Sequence, residues 1–367
     1  MSGPSVCLPS AEELLSKRVQ ELGLDPKSGE HHLYICRKAE AADQDPEENV
    51  SPGPTIPVID LGIIISPENS TTPCNGHERE EELQKLRSAL SSWGCFQAIG
   101  HGISGSFLDK LRQVAREFFG QPMEEKKKVA KGVEEFEGYG GDPVPAQGQP
   151  LDWSDRLFLD VYPAHRRKPQ YWPETPASFS KVLEEYTEKI KKVTEWASRA
   201  MALSLSLEEG CFMDQFGEEA PLQVRFNYYS PCSRPNLVLG LKPHADGSGY
   251  TIILQDDGVE GLQVLKEGRW VTVPSLPHAL LVVMGDQMEI MTNGEFKSPV
   301  HRVLSNSERE RISIAVFYTP EAGKEIGPQE GLINEDRPKA YKNVKDYADI
   351  HWGYYQQGTR AIHVAKV

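Results

Sequence analysis

His244-Ala245-Asp246, followed at a distance by His301 and then by Arg311-Ile312-Ser313, is the pattern within residues 225–317 on which the reading of this 367-residue chain turns. Two histidines and one carboxylate make a facial metal triad that leaves coordination positions open. Such a set suits non-haem Fe(II) that must also bind a cosubstrate and oxygen. His244 and Asp246 are two apart, so on a strand or at its end both side chains point to one face. The third ligand must come from a distant strand brought alongside, and His301 stands just ahead of a strong one.

That strand, 311–318, alternates with period two: Ile312, Ile314, Val316 and Tyr318 against Arg311, Ser313, Ala315 and Phe317. Residues 222–229 repeat the pattern, with Leu222, Val224, Phe226 and Tyr228 against Gln223, Arg225, Asn227 and Tyr229. A polar face turned inward must find partners, because unpaired buried polar groups are costly. An acidic cosubstrate supplies them. Arg311 makes the case sharpest: an inward Arg is expensive unless it meets an anion. Its planar fork matches a carboxylate in a bidentate way, and Ser313 shares its face.

H-x-D, about fifty-five residues, H, about ten residues and R-x-S, preceded by Asn227-Tyr228-Tyr229-Ser230-Pro231-Cys232, resembles the plant 2-oxoglutarate- and Fe(II)-dependent dioxygenases. The likeness runs from about residue 56 to the C-terminus. It includes Ile56-Pro57-Val58-Ile59-Asp60-Leu61, Trp93-Gly94-Cys95-Phe96-Gln97 with His101-Gly102, Leu151-Asp152-Trp153 and Gly261-Leu262-Gln263-Val264. It is similar above all to the small-molecule branch with senescence-related, alkaloid O-demethylating and herbicide-detoxifying members.

The resemblance implies Fe(II) on His244, Asp246 and His301, with 2-oxoglutarate and O2 as cosubstrates and ascorbate as an activator. It implies Arg311 and Ser313 on the distal carboxylate of 2-oxoglutarate, Asn227 close to the metal, and Tyr229 helping to hold the cosubstrate. It also places the Gly138-Tyr139-Gly140 region at the border of the substrate pocket. The implied reaction releases succinate and CO2 and hydroxylates or O-demethylates a small, mostly apolar plant metabolite, hormone or xenobiotic. Arg225 and Phe317, on the inward faces, are candidates to touch substrate. Departures from the family pattern are Ser230 where Pro is usual, Cys95 for Phe, Gly100 for Asn, and Tyr250 where a smaller residue is usual. None is a ligand, but Tyr250 is a candidate to reshape the pocket. The remaining histidines read as structural or surface residues.

Two other classes use the same residues. A zinc-type hydrolase would need the three ligands and a water, but has no use for the Arg311/Ser313 clamp. A non-catalytic binding protein on the same fold would not be expected to keep an intact triad.

The net charge of −14 repels phosphate backbones, so nucleic acid and polyanionic substrates are poor partners. No run of eighteen apolar residues exists, so no membrane span is expected. The start lacks a basic and an apolar signal region. The six cysteines show no C-x-x-C spacing and read as free thiols in a reducing cytosol. The sequons at Asn49 and Asn69 would then be unused. The expectation is a cytoplasmic monomer.

Along the chain, helices are expected at 10–22, 78–93, from Ser104 or Ser106 to Gly120, and over 177–207. The last is a long helix with the stripe Phe179, Val182, Tyr186, Ile190, Val193, Ala197 and Met201. Residues 39–54 read as an acidic connector, 66–76 as a loop, 124–128 as a solvated charge run, and 137–150, rich in Gly and Pro, as a mobile loop. Strands are expected at 56–61, 95–99, 157–162, 251–255, 262–265, 269–273 and 279–284, with turns at Glu267-Gly268, Gly285-Asp286 and Asn293-Gly294. The sum is an α+β chain: a double-stranded β-helix (jelly roll) with supporting helices, one of them long. The expected divisions are 1–55, a helix and linker; 56–215, a mixed helical region; 216–325, the jelly-roll core; and 326–367, a C-terminal segment placed to act as a lid.

Overall fold

The computed structural model describes residues 18–24, 33–36, 55–65, 76–133, 135–142 and 149–367. The expected connector at 39–54, most of the loop at 66–76 and most of the helix at 10–22 lie outside the described residues, as do both sequons. The principal elements are α1 (Val19–Leu24), β1 (Val58–Asp60), α2 (Leu61–Ile65), α3 (Gly76–Ser92), β2 (Cys95–Ile99), α4 (Gly105–Phe119), α5 (Met123–Lys127), β3 (Gly138–Gly140) and β4 (Asp155–Tyr162). They continue with α6 (Phe179–Ser204), α7 (Cys211–Phe216), β5 (Leu222–Tyr229), β6 (Leu239–His244), β7 (Tyr250–Leu254), β8 (Leu262–Lys266), β9 (Arg269–Thr272) and β10 (Leu280–Met284). The last are α8 (Asp286–Met291), β11 (His301–Leu304), β12 (Arg311–Tyr318) and α9 (Tyr347–Gln356).

Local chemistry sets the boundaries. Ser104 caps α4 by accepting from Phe107 N, which satisfies one of the helix's free amide donors. Gly94, at φ 67°, turns the chain from α3 into β2 in a conformation that other residues adopt only with strain. Glu267 (φ 51°) and Gly268 (φ 80°) both take the left-handed conformation that a two-residue β8–β9 hairpin requires.

An eight-stranded sheet runs β1-β2-β10-β7-β12-β5-β4-β3, and a four-stranded sheet runs β6-β11-β8-β9. The large sheet takes strands from both sides of residue 216. Its period-two alternation builds two cores. Ile312, Ile314, Val316 and Tyr318, with Val224, Phe226, Ile252 and Val282, pack against α3, α4 and α6. Ile253, Leu281, Val283, Ala315 and Tyr229 pack with Leu262, Val264 and Val303 of the small sheet. The fold is therefore a double-stranded β-helix with helices on one outer face. All seven stripe residues of α6 are buried. Its 26 residues extend about 39 Å, enough to back the whole large sheet. Each large apolar side chain buried there stabilises by roughly 1.5–3 kcal/mol.

Three local readings need correction. Gly285-Asp286 is not a turn: Gly285 is the N-cap of α8 and Asp286 its first residue, and all six residues of that helix are buried. Residues 138–140 are not a mobile loop but a buried strand paired with β4. Within the charge run, Lys126 is not solvated: its ammonium donates to Phe119 O and to Gln20 Oε1, with 3% of the residue exposed.

Candidate active site

β6 ends at His244, β11 begins at His301, and the two are direct partners in the small sheet. Strand pairing thus supplies the contact between residues far apart in sequence. Asp246 follows in the turn after β6. The potential ligand atoms of His244, Asp246 and His301 all lie within 4.8 Å of one another. His244 Nε2 is 3.4 Å from Asp246 Oδ1 and His301 Nε2 is 3.8 Å from it.

The surroundings hold these atoms ready. His244 Nδ1 is 2.8 Å from Lys242 O, and His301 Nδ1 is 3.3 Å from Pro299 O. A carbonyl only accepts, so each Nδ1 carries the proton and each Nε2 presents a lone pair to the centre. Asp246 Oδ2 accepts from the Thr251 hydroxyl at 2.6 Å, which leaves Oδ1 for the centre. Burial pushes the Asp246 carboxyl up, but His301, His244 and Thr251 outweigh it and hold the group well below the usual carboxylate range. Burial, and then His244, push His301 down to about 4. These are the protonation states a divalent cation needs.

β12 pairs with β5 over its full length, placing Arg311 opposite Tyr229 and Ser313 opposite Asn227. Arg311 Nε donates to Val259 O at 3.1 Å, and the guanidinium carbon lies 5.2 Å from the Tyr229 ring centre. Arg311 Nη1 is buried with no hydrogen-bond partner. Such an orphan costs a full desolvation penalty unless a ligand completes it. Asn227 Nδ2 donates to Ser313 Oγ at 3.3 Å. All four residues line the same cavity as the triad, which has a volume of about 590 Å³. The carboxylate of a 2-oxo acid fits this donor set, and the open triad fits Fe(II).

The cavity wall is aromatic. Rings run in sequence from Phe317 to Phe158 (6.1 Å), Phe136 (5.9 Å), Trp352 (4.4 Å), Tyr355 (5.5 Å) and His244 (5.6 Å). Trp352 and Tyr355 belong to α9. His351, on the same helix, contacts Ala245 O at 2.8 Å through Nε2. This histidine is no ordinary surface residue; it ties α9 to the H-x-D turn.

Residues 221–320 match the 2OG-Fe(II) oxygenase superfamily, and residues 56–175 match the non-haem dioxygenase in morphine synthesis N-terminal family. Codeine O-demethylase of Papaver somniferum is 38% identical over 348 residues, 95% of this chain and 92% of the relative. Lateral branching oxidoreductase 1 of Arabidopsis thaliana is 40% identical over 316 residues, 85% of each chain. The chain belongs to the 2OG-Fe(II) oxygenase superfamily. The solved structure of JOX2 in complex with 2OG, Fe and JA superposes with a TM-score of 0.82 at 33% identity, covering 96% of this chain and 98% of that one.

This oxygenase is a dioxygenase that uses Fe(II), 2-oxoglutarate and O2. The hydrolase and binding-protein readings are not favoured by these relatives. No helix among its described residues is long and apolar enough to cross a membrane.

Arg225 and Phe317 line the oxygenase cavity. Tyr139 and Tyr250 do not. Tyr139 is fully buried against Phe118 and Phe119, because on β3 its side chain turns toward the helices. Tyr250 falls on the helix side of β7. Its hydroxyl donates to Thr194 O at 2.8 Å and lies 2.9 Å from Ser198 Oγ, both on α6. The unusual Tyr therefore pins the sheet to the long helix and leaves the pocket shape alone. Asp142, Phe158, Trp352 and Tyr355 line the cavity without having been picked out as site residues. The last two belong to the C-terminal segment expected as a lid, whose Tyr347, Trp352, Tyr354 and Tyr355 suggest a cover over the barrel mouth.

Proposed function

We propose that His244, Asp246 and His301 hold the iron of this oxygenase, that Arg311 and Ser313 bind the distal carboxylate of 2-oxoglutarate, and that the substrate is a small, mostly apolar, aromatic plant metabolite. The observation that carries this reading is the buried, unpartnered Arg311 Nη1 in the same cavity as the open triad. Asn227 steadies Ser313, and Tyr229 lies against the guanidinium, so the clamp is ordered before the cosubstrate arrives.

When bound, Fe(II) with 2-oxoglutarate and O2 supplies the oxidation that yields succinate and CO2 and hydroxylates a substrate C–H bond. The protein's own part is placement and dryness. The ring series from Phe317 to Tyr355 offers a flat apolar molecule a wall next to His244. α9 covers that wall and limits water, as a lid does. Hydroxylation of a methyl carbon bonded to oxygen gives a hemiacetal, which breaks to formaldehyde and a free hydroxyl. The O-demethylases among the relatives support that outcome.

The test is succinate release with Fe(II), ascorbate and 2-oxoglutarate, screened over plant phenolics, alkaloids, hormones and triketone herbicides. Replacing His244, Asp246 or His301 by Ala should abolish both iron retention and succinate yield with the fold intact. Wild-type turnover in any of the three would refute the assignment.

A further inference from the structure

Arg225 is a cationic side chain on the wall of the substrate cavity, and on residue type alone it would attract an acid. Its geometry says otherwise. Nη1 and Nη2 donate to the two oxygens of Asp142, each at 2.8 Å. Nε donates to Asn227 Oδ1 at 2.5 Å. Every nitrogen of the guanidinium is engaged within the protein. Asp142 is itself fixed from behind, since Arg156 Nε donates to Oδ1 at 3.1 Å. Arg156 is fully buried and does not line the cavity; its Nη1 is held by the carbonyls of Phe136 and Gly138.

Arg311 aside, the other cations of the lining are engaged as well, Arg166 with Asp160 and Lys168 with Glu137, while Lys324 donates to Asp214 O. We propose that Asp142 sets the charge class of the substrate: by occupying Arg225 it makes the wall formed with Phe158 and Phe317 one for uncharged groups and closes it to carboxylic acids. A ligand carboxylate at Arg225 would have to displace Asp142 or sit beside it, placing two like charges on one guanidinium in a largely desolvated site. Bidentate pairing leaves no free fork for a second acid. Burial works against the charge on Asp142, yet Arg225 and Arg156 keep it ionised far below the usual range, so the cap persists at any working pH. The neighbouring wall, Phe158 and Phe317, is apolar and suits a neutral arene. This inference rests on the oxygenase reading of the cavity.

The experiment uses the full chain loaded with Fe(II) and 2-oxoglutarate under anaerobic conditions. Thermal shifts are titrated with matched pairs of arylalkanoic acids and their methyl esters. The wild type should bind the esters at least about tenfold more tightly than the acids. Asp142→Asn should shift that ratio toward the acids by about tenfold or more, and Asp142→Asn combined with Arg225→Gln should abolish the gain. Acids that bind the wild type as well as their esters do, or a series in which no ester binds, would overturn the proposal, and that comparison stands even if the variants fold poorly. An unchanged ratio in a folded Asp142→Asn protein would overturn it too. Succinate release by the wild type without added substrate reports on the iron and 2-oxoglutarate assignment separately.

Discussion

Arg311 shows how much one side chain can reveal. Its Nη1 is buried and unbonded, and burial holds its pKa below the usual value against Tyr229 and Asp256. A lysine would keep the charge but lose the fork. Arg311→Lys should raise the half-saturating concentration of 2-oxoglutarate by about tenfold or more, with a smaller effect on substrate; a cosubstrate titration at saturating substrate checks this. Asp155 makes a different prediction. Burial pushes its carboxyl up to about 6, against Arg18 and the amides of Gln20 and Val19. The folded protein therefore keeps a proton that the unfolded chain, with a carboxyl near 4, has already lost. That stability is present below about pH 4 and disappears as pH rises through about 6. Asp155→Asn should therefore be neutral near pH 4 and stabilising at pH 8, by up to about 3 kcal/mol, as read from denaturant melts at both values. Arg311 was legible in the sequence because period two and an inward charge leave few other readings. Asp142 was not: it belongs to a Gly- and Pro-rich segment, and its partners at 156 and 225 are neighbours only in space.

At the scale of elements, α9 sits tightly on the H-x-D turn. A Cβ on Gly247 would lie 2.3 Å from His351 Cγ, a distance that forces one of the two to move. Gly247→Ala should displace α9 and lower substrate oxidation severalfold. Because the three nearest atoms, Cγ, Nδ1 and Cβ, all belong to the side chain of His351, adding it to His351→Gly should make matters no worse than His351→Gly alone. Such non-additivity in kcat/KM is the sign of a direct contact; additive losses would show that Gly247 matters for another reason. Strands β5 and β12 and helix α6 were legible because long, regular periodicity is the strongest local signal. Helix α8 was hidden because it has only six residues and because Gly-Asp signals both a turn and a helix start. Strand β3 was hidden because Gly138 (φ 107°) and Gly140 (φ 156°) look like loop punctuation. In fact a Cβ at Gly138 would meet Lys131 N and Val129 O, both at 2.9 Å, so glycine there permits close packing.

At the scale of the molecule, the order of strands in the large sheet differs from their order in the chain. β12, the last of the eight to appear in sequence, lies in the middle, between β7 and β5. Without it the sheet is two separate pieces, β1-β2-β10-β7 and β5-β4-β3, each with an open inner edge. A ribosome making this protein therefore delivers the joining strand after most of the chain has emerged. Until then two unpaired edges are exposed, the kind of surface that sticks to other chains. Closure waits for pairings between distant segments, such as Leu280 with Ala98, and such topologies fold slowly. Chains stalled before Arg311 should be digested readily by protease and should associate with chaperones, while release of the complete chain should bring resistance in one step. Stepwise resistance in shorter stalled chains would show that the two pieces are stable apart. Expression of this oxygenase then depends on how long the half-made sheet is shielded, and substitutions that weaken β12 should lower yield before they lower the activity of what survives.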